Sequence, residues 1–205
     1  MTVKIEQKHI FIVGAILILL IALIVGVNIY STHKYKKNAV EFKARTTALT
    51  MPMALVLEDY QKNWRSAIFD HEAYDETGAS RYCSDFNTAL GWRITAHKKV
   101  LSLIDLYFFD IKDLMKDMDN PPSKYEKVHD KFLAIYKNLN KLKNLCNSPE
   151  GSLQSFSSNV NNLLSDIQSD LKETDLTIES DSKMMSKYID EFTESLETIR
   201  KVQKD

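Results

Sequence analysis

Apolar residues follow two regimes along this chain. From Ile10 to Tyr30 there is no charged residue, and Ile10 to Val27 is almost wholly aliphatic on every face of a helix. Beyond Tyr30 the apolar positions recur at steps of three, four or seven, the spacing of a single helix face. The first regime would span roughly 32 Å at about 1.5 Å per residue, which matches a hydrocarbon core of about 30 Å. Tyr30 stands at interfacial depth, with Lys4 and Lys8 before the run and Lys34, Lys36 and Lys37 after it. The run is longer than a signal-peptide core of about 7–15 residues, and no A-x-A-like cleavage site follows. Residues 1–9 are therefore predicted to be a short tail and residues 10–30 an uncleaved transmembrane helix in contact with the lipid bilayer. Gly14, Ala22 and Gly26 lie near one face of it, so Ala22 and Gly26 would let two such helices approach closely.

The second regime predicts an all-α architecture: the N-terminal transmembrane helix followed by an antiparallel up-and-down bundle of four to five long helices. A basic juxtamembrane segment is expected at residues 31–50 and the bundle domain at 51–205. The first stripe runs Phe42, Leu49, Met53, Val56, Tyr60, Trp64, Ile68, His71, with Pro52 marking a kink or a break. Asp75 to Gly78 reads as a loop. The second stripe recurs without a miss from Cys83 to Met118, and Pro121-Pro122 ends it. Ser123-Lys124-Tyr125-Glu126 has the form of a capping box opening a third helix, whose apolar set is Tyr125, Val128, Phe132, Ile135, Leu139, Leu142 and Cys146. Ser148 and Pro149 suit the start of a fourth helix. The last stripe, from Phe156 onward, is too long for one helix in this bundle and should break between Glu173 and Ser182.

Composition narrows the class. With only 5 Gly and 4 Pro in 205 residues, a sandwich or barrel of many short strands lacks its turns. A net charge of −1, from 27 basic and 28 acidic residues, gives no global field for nucleic acid, so no nucleic-acid partner is expected. Charge is nonetheless segregated. Lys124–Cys146 holds six basic and two acidic residues, whereas Asn147–Asp205 holds six basic and twelve acidic, as suits antiparallel neighbours.

Candidate chemistry is sparse. There is no Walker loop, dinucleotide fingerprint, H-E-x-x-H, C-x-x-C or calcium loop. No catalytic, cofactor-binding or metal site is predicted, and the chain is not expected to be an enzyme. Asp70-His71-Glu72 with Asp75-Glu76 gathers metal-ligand types, but His71 continues the apolar stripe and the acids read as a solvated helix end. His97 falls in the core-facing stripe, where a hydrogen-bonded structural histidine is expected. Trp64, Trp92, Tyr107, Phe108 and Phe109 read as core. The basic run from Lys34 to Arg45 would clamp anionic lipid headgroups if the bundle were cytoplasmic, and is otherwise a solvated flank.

Cys83 and Cys146 lie on apolar stripes of consecutive helices. They stand 35 and 23 residues from their sides of the Pro121-Pro122 turn. That is an axial mismatch of about 18 Å, against a Cα separation of about 7 Å or less for a disulfide. Two unpaired, buried thiols are expected.

These features predict a membrane-anchored helical bundle acting as a protein-interaction or scaffolding module, with a protein partner or a second copy of itself. The alternative is an extracytoplasmic ligand-binding or sensory bundle. In overall shape the chain is similar to the helical-bundle ligand-binding domains of bacterial chemoreceptors, although those carry a second span and a signalling module not found before Asp205. Literal counting of Lys and Arg around the span would leave the bundle in the cytoplasm. Single N-terminal anchors more commonly export their trailing domain, and the extracytoplasmic side is the expectation adopted.

Overall fold

A computed structural model describes the backbone of residues 7–201 and the side chains of residues 19–198. The elements are α1 (Gln7–Phe69), β1 (Glu72–Tyr74), β2 (Ser80–Tyr82), α2 (Phe86–Asp117), α3 (Glu126–Asn147), α4 (Leu153–Thr174) and α5 (Ser182–Lys201). The protein is an all-α bundle with one small antiparallel hairpin inserted between its first two helices.

Side-chain pairs fix the directions. Trp64 near the end of α1 stacks on Phe86 at the start of α2, and Phe108 stacks on Tyr136 across α2 and α3. Lys131 early in α3 reaches Asp170 and Glu173 at the end of α4. Tyr188 of α5 bonds Glu41 and lies under the Arg45 guanidinium, and Tyr107 meets Phe192 and Ser195. Successive helices thus run up and down, with α5 alongside α1 and α2. One core joins them, with Phe42, Leu49, Met53, Leu57, Tyr60 and Trp64 of α1 at its centre. The α3 stripe is buried from Tyr125 to Cys146, as its spacing requires.

Several boundaries differ from expectation. Pro52 neither ends nor breaks α1, which continues through it. A proline inside a helix loses one hydrogen bond and costs about 3 kcal/mol. Here Leu49, Met53, Val56 and Leu57, buried on both sides of it, supply the offset. The bundle begins at Tyr35, not at residue 51, because Tyr35, Ala39, Phe42 and Leu49 are all core residues. The basic run is correspondingly more than a flank. Lys43 is buried and donates to the Asp175 carboxylate and the Ile178 carbonyl, holding the connection between α4 and α5. Arg45 bonds Glu41 and Asp110.

The second helix starts at Phe86 instead of Cys83, capped by the Asp85 carboxylate, which accepts from the Asn87 and Thr88 N–H groups. The Asp75–Gly78 loop is the turn of the hairpin. Ser123–Tyr125 forms a 3-10 turn and no capping box, and the Tyr125 ring that closes it stacks on Tyr35 (5.1 Å between centroids). The cap of α4 is Ser152, reciprocally bonded with Ser155, after Gly151 has turned the chain at a φ of 94°. The break between α4 and α5 falls where the apolar pattern drifts. Cys83 and Cys146 are both free and buried.

Among the described residues, no helix is long and apolar enough to cross a membrane. The predicted span at 10–30 falls partly outside them, because the side chains of residues 10–18 are not described. Its described part, Leu19–Tyr30, is helical and exposed on every face.

Candidate functional site

The end of the bundle farthest from Tyr30 carries the hairpin, and its construction begins in α1. Asp70 still donates its N–H to Ser66 O (2.9 Å), closing the last helical turn. His71 then takes a φ of 54°, rare for a residue other than glycine, and sends the chain back as β1. Cys83 N–H donates to His71 O (2.8 Å) and shuts the base of the hairpin, whose register pairs Glu72 with Tyr82 and Tyr74 with Ser80. At the tip, the Asp75 carboxylate accepts from Thr77 N–H (2.9 Å), Thr77 Oγ1 (2.6 Å), Ala79 N–H (3.0 Å) and the Arg81 guanidinium. The Thr77 hydroxyl and Arg81 hold its carboxyl well below the usual carboxylate range. Gly78 supplies the turn's φ of 86°.

Two polar residues tie this hairpin to the bundle. Asn63, 1% exposed, accepts from Tyr74 N–H (2.7 Å) and donates to Tyr74 O (3.1 Å) and Ala89 O (3.0 Å), satisfying its whole amide. Arg93 donates to Asp75 O (2.9 Å) and to Asp59 Oδ2 (2.6 Å), and His97 Nε2 shares that Asp59 oxygen at 2.7 Å. Burial alone would raise the Asp59 carboxyl, but the bonds from His97 and Arg93 more than offset it and leave it lowered. His97 therefore has the structural bond its stripe position implied, at a half-buried site.

Several rings at this end are exposed. Tyr82 is 78% exposed and Phe69 68%, and Tyr74, Phe86 and Ile68 are exposed as well. Phe86 stacks on buried Trp64 (5.3 Å, 9° between planes), the Arg65 guanidinium lies 6.0 Å over Phe69, and His71 faces Tyr82 at 6.3 Å. Aromatic residues and arginine on a backbone with little freedom to lose are the composition of interface anchors.

The remaining sequence candidates are placed as follows. Among the described residues, no group of three or more His, Cys, Asp or Glu is arranged to hold a metal. His71 is exposed, so it does not continue the α1 stripe, and Asp75 is committed to its turn. Trp64 and Phe108 are core, Trp92 and Tyr107 are half-buried, and Phe109, predicted to be core, is exposed. At about 100° per residue, a helix that buries Phe108 turns Phe109 outward. Sequence spacing did not single out Asn63, Phe69 or Tyr82. A separate open groove of about 490 Å³ runs between α3 and α4, lined by Lys141, Asn144, Asn159 and Asn162 among others. No known family model, curated protein or solved structure matches this chain.

Proposed function

We propose that this protein is a single-pass membrane protein whose helical bundle presents the aromatic hairpin end to a protein partner, as an interaction or scaffolding module without catalysis of its own. The anchor reading is supported by Leu19–Tyr30, an exposed aliphatic helix segment that continues an uncharged stretch beginning at Ile10. Such a surface is unfavourable in water and favourable in lipid. Because α1 is uninterrupted, it would carry Phe69 about 58 Å beyond Tyr30. The bundle is assigned to the extracytoplasmic side.

The observation that carries the partner reading is the set of exposed rings on a hairpin fixed by Asn63, Asp75 and Arg93. A photo-crosslinking residue at Tyr82 or Phe69, in membranes of the source cell, should give a discrete adduct that the exposed Lys112 position on α2 does not. Equal labelling from all three positions contradicts the proposal. The groove between α3 and α4 favours the second reading, a ligand-binding or sensory bundle. A small molecule raising the unfolding temperature through Asn144 and Asn162 would support that reading.

A further inference from the structure

Where α1 leaves its apolar segment, a groove of about 600 Å³ opens between it and the connection from α2 to α3. Thr32, His33 and Lys36 line it from α1, and Ser123 and Lys124 line it from the connection. Residues 32, 33 and 36 share one helix face. Two lysines, a histidine and three hydroxyl-bearing residues, Thr32, Ser123 and Tyr125, therefore line it, with no carboxylate among the lining residues. Asp119 and Glu126, the nearest acids along the connection, stand outside it.

The far wall is rigid. The Tyr125 ring is stacked on Tyr35 (17° between planes), and the Tyr35 hydroxyl pairs with His129 Nδ1 at 3.1 Å. Lys124 Nζ lies 4.7 Å from the centre of that Tyr125 ring. The lower end of the groove is formed by Asn28 and Ile29, inside the apolar segment, and Lys36 lies about 12 Å further along α1. A polar headgroup layer is about 5–7 Å deep on each side of a bilayer, so with Tyr30 at its inner edge Thr32 lies within it and the long Lys36 side chain, about 9 Å past Tyr30, can reach back to it.

We propose that this groove binds an anionic phospholipid headgroup, with Lys36 and Lys124 pairing with its phosphate oxygens, Thr32 and Ser123 donating hydrogen bonds, and the same cations, with no carboxylate beside them, repelling the ammonium of a zwitterionic headgroup. The site rests on the membrane-anchored reading above and needs an anionic phospholipid in whichever leaflet faces the bundle. Phosphate is the shared chemistry, and a soluble phosphate would satisfy the same donors. Lipid is favoured because the groove starts within the apolar segment, where a tethered headgroup is held at high local concentration.

The test uses the full chain in nanodiscs of mixed phosphatidylcholine and phosphatidylglycerol, with retained lipids read by native mass spectrometry. Wild type should retain phosphatidylglycerol over phosphatidylcholine by roughly 10- to 30-fold beyond their mixing ratio, the gain from two lysines near a surface. Lys36→Gln with Lys124→Gln should abolish the preference, whereas Lys37→Gln, exposed but outside the groove, should keep it. All three positions are exposed, so folding is not at stake. Retention of inorganic phosphate by wild type in pure phosphatidylcholine discs, lost in the double variant, would support the site and assign it a soluble source. No preference in wild type, or one unchanged in the double variant, overturns the proposal. Alkaline carbonate extraction of vesicles keeps the anchor question separate: release of the chain overturns the anchor reading, whereas retention without lipid preference overturns only the groove.

Discussion

Replacing Asn63 with alanine tests whether the hairpin is held rigidly or merely rests on the bundle. The side chain makes three hydrogen bonds to two backbone segments, so the substitution strands Tyr74 N–H and Tyr74 O and leaves Ala89 O with its helical bond alone. A net hydrogen bond contributes about 0.5–1.5 kcal/mol, and a stranded buried group costs about 1–3 kcal/mol. Tyr74 is exposed and water can replace part of its loss, whereas Ala89 is buried. A total of about 2–3 kcal/mol follows, equivalent to roughly 30- to 150-fold in a local opening equilibrium. Hydrogen exchange by mass spectrometry reads this directly. Amides from Ala73 to Tyr82 should exchange faster by that factor, while those of α3, which Asn63 does not touch, keep their rates at conditions far from global unfolding. Exchange in the hairpin that is unchanged, or accelerated equally in α3, would refute the argument that Asn63 fixes the site.

Phe69→Ala combined with Tyr82→Ala should change stability by about 0.5 kcal/mol or less, since both rings are exposed, yet should abolish the crosslink from a neighbouring Tyr74 probe. Urea midpoints at unchanged slope would reveal a hidden structural role. Four carboxyls are depressed in the folded state: Asp59 against its own burial by His97 and Arg93, Asp75 by Thr77, Asp85 by Thr88 and Asp175 against its own burial by Lys43. A depressed folded pKa stabilises above the unfolded value of about 3.9, so stability should be flat from about pH 5 to 7 and fall as pH drops through the folded values. A urea midpoint that is the same at pH 3 and pH 7 contradicts this. Burial pushes the Cys146 thiol up to about 12, so it should resist a maleimide at pH 8 in the native protein and react once unfolded. The same raised value contributes stability below the unfolded thiol value of about 8.5, lost as pH rises through the folded one, so native labelling at pH 8 would contradict the packing at Met53 O.

How much of this was readable beforehand depended on range along the chain. The α3 stripe is buried in its entirety because helix period and core contact are the same statement there. The break between α4 and α5 was readable because the apolar position shifts by one residue. The hairpin was not: strands of three residues are too short for an alternating pattern, and Cys83 happens to fall in phase with the following helix. Pro52 announced a perturbation without its outcome, which is decided by residues packed on either side. Lys43 looked like one more basic flank residue because its partners, Asp175 and Ile178, lie more than 130 positions away. The aromatic site is a juxtaposition of α1's end, the hairpin and α2's start, and no local signal carries that.

The central claim is that one uninterrupted helix joins the exposed apolar segment ending at Tyr30 to the hairpin end. Spin labels at Ser31 and Ser66 of the full chain in nanodiscs, measured by double electron–electron resonance, test it most directly. A helix continuing through Pro52 predicts a narrow distribution centred at about 50 Å, 35 residues at about 1.5 Å each with little shortening for a shallow kink. A broad distribution, or one centred below about 40 Å, would mean that α1 breaks at Pro52 and that the hairpin is not carried rigidly away from the apolar segment.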